Sequence, residues 1–133
     1  MRIIGLDTEE SGFVVRLYPI GTKAKGWGYE PDTRAAITWL EQRVKAGMTV
    51  CDIGTGTGIL ALVAAKLGAT VTAYESAADV REIAKRNITL NQAKVMLKGA
   101  YDGAGGFDLV VANLGNVEYG AILKAGREVW TSG

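Results

Sequence analysis

The sequence predicts an α/β domain in which helices pack on a parallel β-sheet, with an amino-terminal β-hairpin in front of it. Strand-like and helix-like segments alternate along the chain, and such alternation predicts parallel strands with right-handed crossovers. Phe107–Ala112 is almost wholly apolar, as expected for a parallel strand that is buried on both faces. Gly54, Gly56 and Gly58 follow another strand-like segment, and such sheets bind ligands at the carboxyl ends of their strands.

The first 20 residues are predicted to form the hairpin, and residues 21–133 the core of one single domain. Arg2–Leu6 and Phe13–Tyr18 are rich in β-branched, aliphatic and aromatic residues, which favours two strands. Residues 7–12 between them are polar and end in glycine, which is typical of a turn.

The core is predicted to begin with a helix and to continue with four strands. Asp32 or Thr33 could cap the first helix with a side-chain oxygen, and Gly47 is expected to stop it. The predicted strands are a segment through Val50 and Ile53, then Thr70–Tyr74, Lys94–Lys98 and Phe107–Ala112. The helices between and after them are Ile59–Leu67, a segment through Val80 and Ile88, and a last helix from about Val117 that includes Tyr119, Ile122, Leu123 and Trp130.

The composition excludes several kinds of chemistry. Histidine is absent, which excludes histidine-based acid–base catalysis, Ser–His or Cys–His nucleophile pairs and most zinc sites, and no metal site is expected. The net charge of +1 gives no general attraction to nucleic acid or to an anionic membrane. No apolar run is long enough to predict a membrane span. Cys51 is the only cysteine and cannot form an intrachain disulfide, so a reducing, cytoplasmic environment is expected.

The glycine cluster has the form acid-x-Gly-x-Gly-x-Gly, with Asp52 two residues before Gly54. Glycine allows φ > 0 and lets a ligand lie against the backbone. A dinucleotide fingerprint would need its third glycine at position 59, where the chain has Ile59, so a nicotinamide-dependent oxidoreductase is the less favoured alternative. An ordinary glycine-rich turn between a strand and a helix is the structural alternative.

Three polar side chains are candidates for binding or catalysis. Glu75 lies 21 residues after Gly54, at the end of the next strand, where a carboxylate can accept hydrogen bonds from two ribose hydroxyls. Alternatively, Glu75 complements the dipole of the following helix. Asp52 is expected to be buried, so its carboxylate needs partners such as loop amides or a ligand ammonium. Alternatively, Asp52 serves only to fix the glycine loop. Asn113 ends the fourth strand, where its amide oxygen could orient an attacking amine or form an Asx turn.

The glycine motif resembles motif I of the class I S-adenosylmethionine-dependent methyltransferases. From about Gly26 to its end the chain is similar to the PrmA-type ribosomal protein methyltransferases. Gly28-Tyr29-Glu30-Pro31-Asp32-Thr33-Arg34 resembles the family's Gly- and Thr-rich segment, and Val111-Ala112-Asn113-Leu114 resembles its Val-Ala-Asn-Leu/Ile stretch.

The resemblance implies a Rossmann-like fold and S-adenosyl-L-methionine as the cofactor. The residues that it places on the cofactor are Thr33, Asp52, Gly54, Gly56, Gly58, Glu75, Asp102 and Asn113. Asp102 follows the third strand, where this class usually holds the adenine amino group, although its loop could equally be a simple turn. Asn113 is the candidate catalytic residue.

The chain departs from the family in two ways. The family's separate amino-terminal domain, which selects the ribosomal protein, has no counterpart, so that substrate is not implied. The usual seven strands are reduced to four, and the strand order 3-2-1-4 would leave the fourth strand as an open apolar edge. The hairpin could cover this edge, or a second copy could cover it in a two-fold dimer.

The predicted function is methyl transfer from S-adenosylmethionine to an unidentified acceptor, a protein amine or another small nucleophile. A non-catalytic module that only binds the cofactor, or a fragment that needs a partner, is the alternative.

Overall fold

The structure is a computed structural model that describes residues 8–10, 13–18, 31–114 and 119–132. Its elements in chain order are β1 (Thr8–Glu10), β2 (Phe13–Val15), α1 (Pro31–Arg43), β3 (Thr49–Ile53), α2 (Ile59–Lys66), β4 (Thr70–Tyr74), α3 (Ala78–Leu90), β5 (Val95–Lys98), β6 (Phe107–Ala112), a short 3₁₀ helix (Ile122–Lys124) and β7 (Gly126–Thr131). Among the described residues, none of the helices is both long and apolar enough to span a membrane.

The hairpin is present, but its first strand is not where the sequence analysis placed it. β1 and β2 pair antiparallel, with Glu10 opposite Phe13. The predicted turn was therefore wrong for Thr8–Glu10, because this register leaves only two residues between the strands. The predicted strand Arg2–Leu6 lies outside the described residues.

β3 to β7 form a five-stranded parallel sheet in the order β5-β4-β3-β6-β7. The predicted α/β class and the order 3-2-1-4 of the four predicted strands are confirmed. Because side chains alternate between the two faces of a strand, successive residues enter different buried clusters. Val50 and Val111 pack on the face that carries α1 and α2, whereas Cys51 and Val110 pack on the other face.

The fifth strand, β7, replaces the predicted last helix. The apolar positions 119, 122, 123 and 130 suggested a helix, but within the described stretch 119–132 only Ile122–Lys124 is helical, as one 3₁₀ turn. Residues 126–131 begin with glycine and contain Val129 and Trp130, and they pair in parallel with β6. A Cβ at Gly126 would lie 2.6 Å from Val110 Cγ2, so the strand can start there only because this residue has no side chain.

The pairing of β6 with β7 also corrects the prediction of an open edge on the fourth strand. Val110 is opposite Val129 and Val111 is opposite Trp130, so β7 already occupies that side of β6. A dimer through this edge is therefore excluded by the fold. The hairpin does not cover it either, because β1 and β2 form a separate two-stranded sheet and β7 takes the pairing positions of β6.

The first helix also begins and ends earlier than predicted. Pro31 is its first residue, a position where the fixed φ of proline is favourable and its missing N–H costs nothing. Asp32 and Thr33 therefore lie inside the first turn and are not caps, although Asp32 complements the helix dipole there. α1 ends at Arg43, and Gly47, with φ of 88°, belongs to the turn that leads into β3.

Candidate functional site

The loop between β3 and α2 has the conformation that its glycines allow. Gly54, Gly56 and Gly58 all have positive φ, at 74°, 56° and 91°. The amides of Gly54 and Thr55 both donate to the carbonyl oxygen of Tyr74 at 2.9 Å, which ties this loop to the end of the neighbouring strand β4. Other residues would be strained at these φ values, so the alternation of glycines is required by the loop itself.

Leu114, one residue after Asn113, packs closely over the first glycine. A Cβ at Gly54 would overlap Leu114 Cδ2 and would lie 3.0 Å from its Cγ. The end of β6 and the glycine loop are therefore in direct contact, and this contact is possible only at a residue without a side chain.

Asp52 is a buried carboxylate with an incomplete set of hydrogen bonds. It is only 1% exposed, and its Oδ2 accepts a 2.7 Å hydrogen bond from the Thr55 hydroxyl. Its Oδ1 is buried without a hydrogen-bond partner in the structure. Burial raises the pKa of Asp52 to about 7, the Thr55 hydroxyl and the backbone amide of Ala61 oppose this, and the negative charge of Glu75 raises it further. An unpaired buried carboxylate oxygen is suited to a cationic or hydrogen-bond-donating ligand.

Glu75 reaches the glycine loop directly. Its Oε1 accepts from the amide of Gly56 at 2.9 Å, and its Oε2 accepts from the amide of Ala77 at 3.1 Å, at the start of α3. The predicted ribose acid therefore lies against the loop, and the alternative role at the helix terminus is also observed. The two roles are compatible because each carboxylate oxygen can accept a second hydrogen bond.

Asp102 lies in the loop after β5 and is exposed. Its Oδ1 accepts from the Tyr74 hydroxyl and from the amide of Ala104, both at 3.0 Å. The bond to Ala104, two residues on, is that of an Asx turn, so the simple-turn alternative is present in the structure. These two donors lower the pKa of Asp102, which keeps it ionised.

Thr33 and Asn113, 80 residues apart in sequence, meet at the edge of the same region. The side-chain amide of Asn113 donates to Thr33 Oγ1 at 3.2 Å. Thr33 is only 2% exposed, and its place in the first turn of α1 brings the hydroxyl to the end of β6. The Asx-turn alternative for Asn113 depends partly on residues 115–118, which lie outside the described residues.

Asn87 lies in α3, within the helix predicted through Val80 and Ile88, and the sequence analysis gave it no role of its own. Its side chain is fully buried. Its amide nitrogen donates to the carbonyl oxygens of Thr57 at 2.8 Å and Tyr18 at 3.0 Å, and its Oδ1 accepts from the amide of Tyr18 at 2.6 Å. An asparagine at a core position of an apolar helix pattern was the available signal, because a buried amide needs partners.

The predicted site residues therefore form linked contacts at one end of the sheet. Glu75 contacts the glycine loop, Tyr74 joins that loop to Asp102, and Thr33 joins Asn113. Within the described part of the chain, no group of three acidic or cysteine side chains that could hold a metal ion is found.

The glycine loop follows β3, the central strand of the sheet, and the Glu75 carboxylate follows the neighbouring strand β4. This arrangement, on a parallel sheet with this strand order, defines the fold of the class I S-adenosylmethionine-dependent methyltransferases. Residues 7–116 match the family described as ribosomal protein L11 methyltransferase (PrmA), so this chain belongs to that family. The resemblance found in the sequence is thereby confirmed.

Similar proteins carry the same description. The ribosomal protein L11 methyltransferase of Thermotoga petrophila is 39% identical over 105 residues, which is 76% of this chain and 39% of that protein. The corresponding protein of Burkholderia thailandensis is 46% identical over 94 residues, 68% of this chain and 31% of that protein. The crystal structure of ribosomal protein L11 methylase from Lactobacillus delbrueckii subsp. bulgaricus superimposes with a TM-score of 0.65 at 32% identity, covering 77% of this chain and 54% of that one. The chain thus spans well under half the length of these two curated relatives.

Proposed function

We propose that this chain binds S-adenosyl-L-methionine at the glycine loop and transfers its methyl group to an amine of a protein. The observation that carries the proposal is the hydrogen bond between Glu75 and Gly56, next to a buried Asp52 oxygen that has no partner. The Glu75 carboxylate can accept hydrogen bonds from the ribose hydroxyls, and the Asp52 carboxylate can accept one from the ammonium of the methionine part.

The polar groups of the site match those of this cofactor. S-adenosylmethionine offers hydrogen-bond donors in its ribose hydroxyls, its ammonium and its adenine amino group. Glu75, Asp52 and Asp102 are all acceptors, and a negatively charged set of side chains would repel a pyrophosphate. This charge argument supports S-adenosylmethionine over a nicotinamide dinucleotide.

The cofactor, when bound, supplies a methyl group on a sulfonium that is already a good leaving group. What remains for the protein is to position the acceptor and to exclude water. Asn113 is the proposed catalytic residue. Its Nδ2 is held by Thr33, so its Oδ1 is fixed in orientation and can accept a hydrogen bond from the attacking amine.

The proposed acceptor follows from the family. The relatives are named for ribosomal protein L11, so an amine of that protein is the first acceptor to test, and a ribosomal protein would place the reaction in the cytoplasm. A small nucleophile is the other acceptor that this geometry would allow.

Two measurements test the proposal. Calorimetric titration with S-adenosylhomocysteine should give saturable binding, and NAD under the same conditions should give none. Transfer of labelled methyl groups to ribosomal protein L11 should then be detected, and Asn113→Ala should lower its rate by about 100-fold or more, as for loss of an orienting group. Binding of S-adenosylhomocysteine without any transfer would support the non-catalytic alternative, and no binding would reject the proposed function.

A further inference from the structure

Tyr74 makes contacts that its place in a buried strand does not require. It is only 1% exposed, at the end of β4, directly before Glu75. Its hydroxyl donates to Asp102 Oδ1 at 3.0 Å, and its carbonyl oxygen accepts from Gly54 and Thr55. One residue therefore contacts both the glycine loop and the loop after β5.

The loop after β5 is built around the same oxygen of Asp102. The amide of Ala104 donates to Oδ1 at 3.0 Å, and the Tyr101 hydroxyl donates to the carbonyl oxygen of Ala104 at 2.6 Å. The Tyr101 ring packs edge-on against the Tyr74 ring, with centroids 5.2 Å apart. The Tyr74 hydroxyl and the Ala104 amide therefore both donate to Oδ1 of an otherwise exposed carboxylate, whereas the Tyr101 hydroxyl does not reach Asp102.

We propose that Tyr74 is a positioning residue for base recognition. Together with Ala104 it fixes Oδ1 of Asp102, so that Oδ2 is the oxygen that accepts from the 6-amino group of adenine. This inference rests on the proposed function, and it assigns to Tyr74 the selection of adenine over a 6-oxo base.

The chemistry of the hydroxyl suits this task. Burial raises the pKa of Tyr74 to about 12, and the Asp102 carboxylate adds to that effect, so the hydroxyl remains a donor at all physiological pH values. Because the Tyr74 hydroxyl and the Ala104 amide both donate to Oδ1, rotation of the Asp102 carboxylate is restricted. A 6-oxo base would present an acceptor to Oδ2, and two acceptors repel.

The experiment compares two ligands that differ only at this position, S-adenosylhomocysteine and S-inosylhomocysteine, by calorimetry. The wild-type protein should prefer the adenosyl ligand by about tenfold or more, the range for one hydrogen bond to a charged group. Tyr74→Phe keeps the buried ring and should lose most of this preference. Tyr101→Phe is the matched control, because its hydroxyl reaches Ala104 and not Asp102, and it should retain the preference.

Asp102→Asn gives a second test at an exposed position that does not endanger folding. Tyr74 and Ala104 should hold the amide oxygen at the Oδ1 position and place the NH₂ group at the Oδ2 position. The preference should then reverse toward the inosyl ligand. A preference that is unchanged in Asp102→Asn, that falls equally in both tyrosine variants, or that is absent from a wild type that binds S-adenosylhomocysteine would overturn the inference. A wild type that binds neither ligand would instead reject the proposed function.

Discussion

The side-chain amide of Asn87 joins α3 to the glycine loop by a 2.8 Å hydrogen bond to the carbonyl oxygen of Thr57, 30 residues earlier in the chain. The same amide pairs with both backbone groups of Tyr18. One turn later, Asn91 pairs in the same way with both backbone groups of Arg16. Asn87 in α3 and Asn91 directly after its last residue thus both bind the backbone of the segment that contains Arg16 and Tyr18, and of the two only Asn87 also binds the glycine loop.

We predict that Asn87→Ala destabilises the protein and weakens cofactor binding, whereas Asn91→Ala does much less. The first change leaves the buried carbonyl oxygen of Thr57 without its partner, at about 1–3 kcal/mol, and also removes the partners of two part-buried backbone groups of Tyr18. Urea unfolding should show the difference in the free energy of unfolding, and titration with S-adenosylhomocysteine should show it in affinity. Equal losses of affinity in both variants would mean that the contact with Thr57 has no special role.

Replacement of Glu75 separates the two roles of that side chain. Glu75→Ala should weaken the binding of S-adenosylhomocysteine by roughly 1.5–3 kcal/mol, because a charged acceptor for the ribose hydroxyls is lost. Asp79→Ala is the matched control, because Asp79 is an exposed acid in the first turn of the same helix. Asp79→Ala should cost only about 0.3–1 kcal/mol of stability, through the helix dipole, and leave affinity unchanged. Equal affinities for the two variants would restrict Glu75 to the helix terminus.

Substitution of Gly54 should have a consequence that goes beyond backbone strain. Gly54→Ala must displace Leu114 as well as adopt a positive φ, whereas Gly47→Ala adopts a similar φ of 88° with no atom within 4 Å. We expect Gly47→Ala to cost about 1–2 kcal/mol. Gly54→Ala should cost more and also abolish ligand binding. Leu114→Ala in the Gly54→Ala background should recover part of the stability, and its failure to do so would show that Leu114 is not the obstacle.

Binding of the cofactor should be linked to a proton on Asp52. The pKa of this carboxyl is raised to about 7 in the folded protein, so the group is partly protonated just below neutrality. A ligand ammonium favours the ionised form, so binding below pH 7 should release a proton and affinity should rise with pH up to about 7. Calorimetry in two buffers of different ionisation enthalpy measures this release. The linkage should vanish in Asp52→Asn, and its persistence there would assign the proton to another group.

The same shift has a defined sign for stability. The pKa of Asp52 lies above its ordinary value of 3.8, so the native state binds more protons than the unfolded state between these two values. The contribution of Asp52 to the free energy of unfolding is therefore greatest below pH 3.8 and falls as pH rises to about 7. The free energy of unfolding in urea should be measured at pH 5 and at pH 8. Its decrease from pH 5 to pH 8 should be smaller in Asp52→Asn than in the wild type.

The parts of the fold that the sequence predicted well are those with strong local patterns. β4 and β6 were predicted at their observed bounds, and α2 to within one residue. β7 was missed because the apolar residues of 119–130 fit a helical spacing, and residues 126–131 gain their strand hydrogen bonds only from β6. The contact of Glu75 with the glycine loop followed from topology alone. The functional roles of the site residues stay predictions.

By itself, the sequence determined the α/β class, the order of four strands and the loop that carries the candidate site, because hydrophobic runs and glycines act locally. Only the tertiary structure decided which segment of the chain pairs with the edge of β6 and which side chains connect the loops. Tyr74, Asn87 and Asp102 acquire their contacts through partners 28 to 69 residues away, and no local pattern specifies such pairs. The physical reason is that a buried polar group takes whichever partner the packed chain brings within reach.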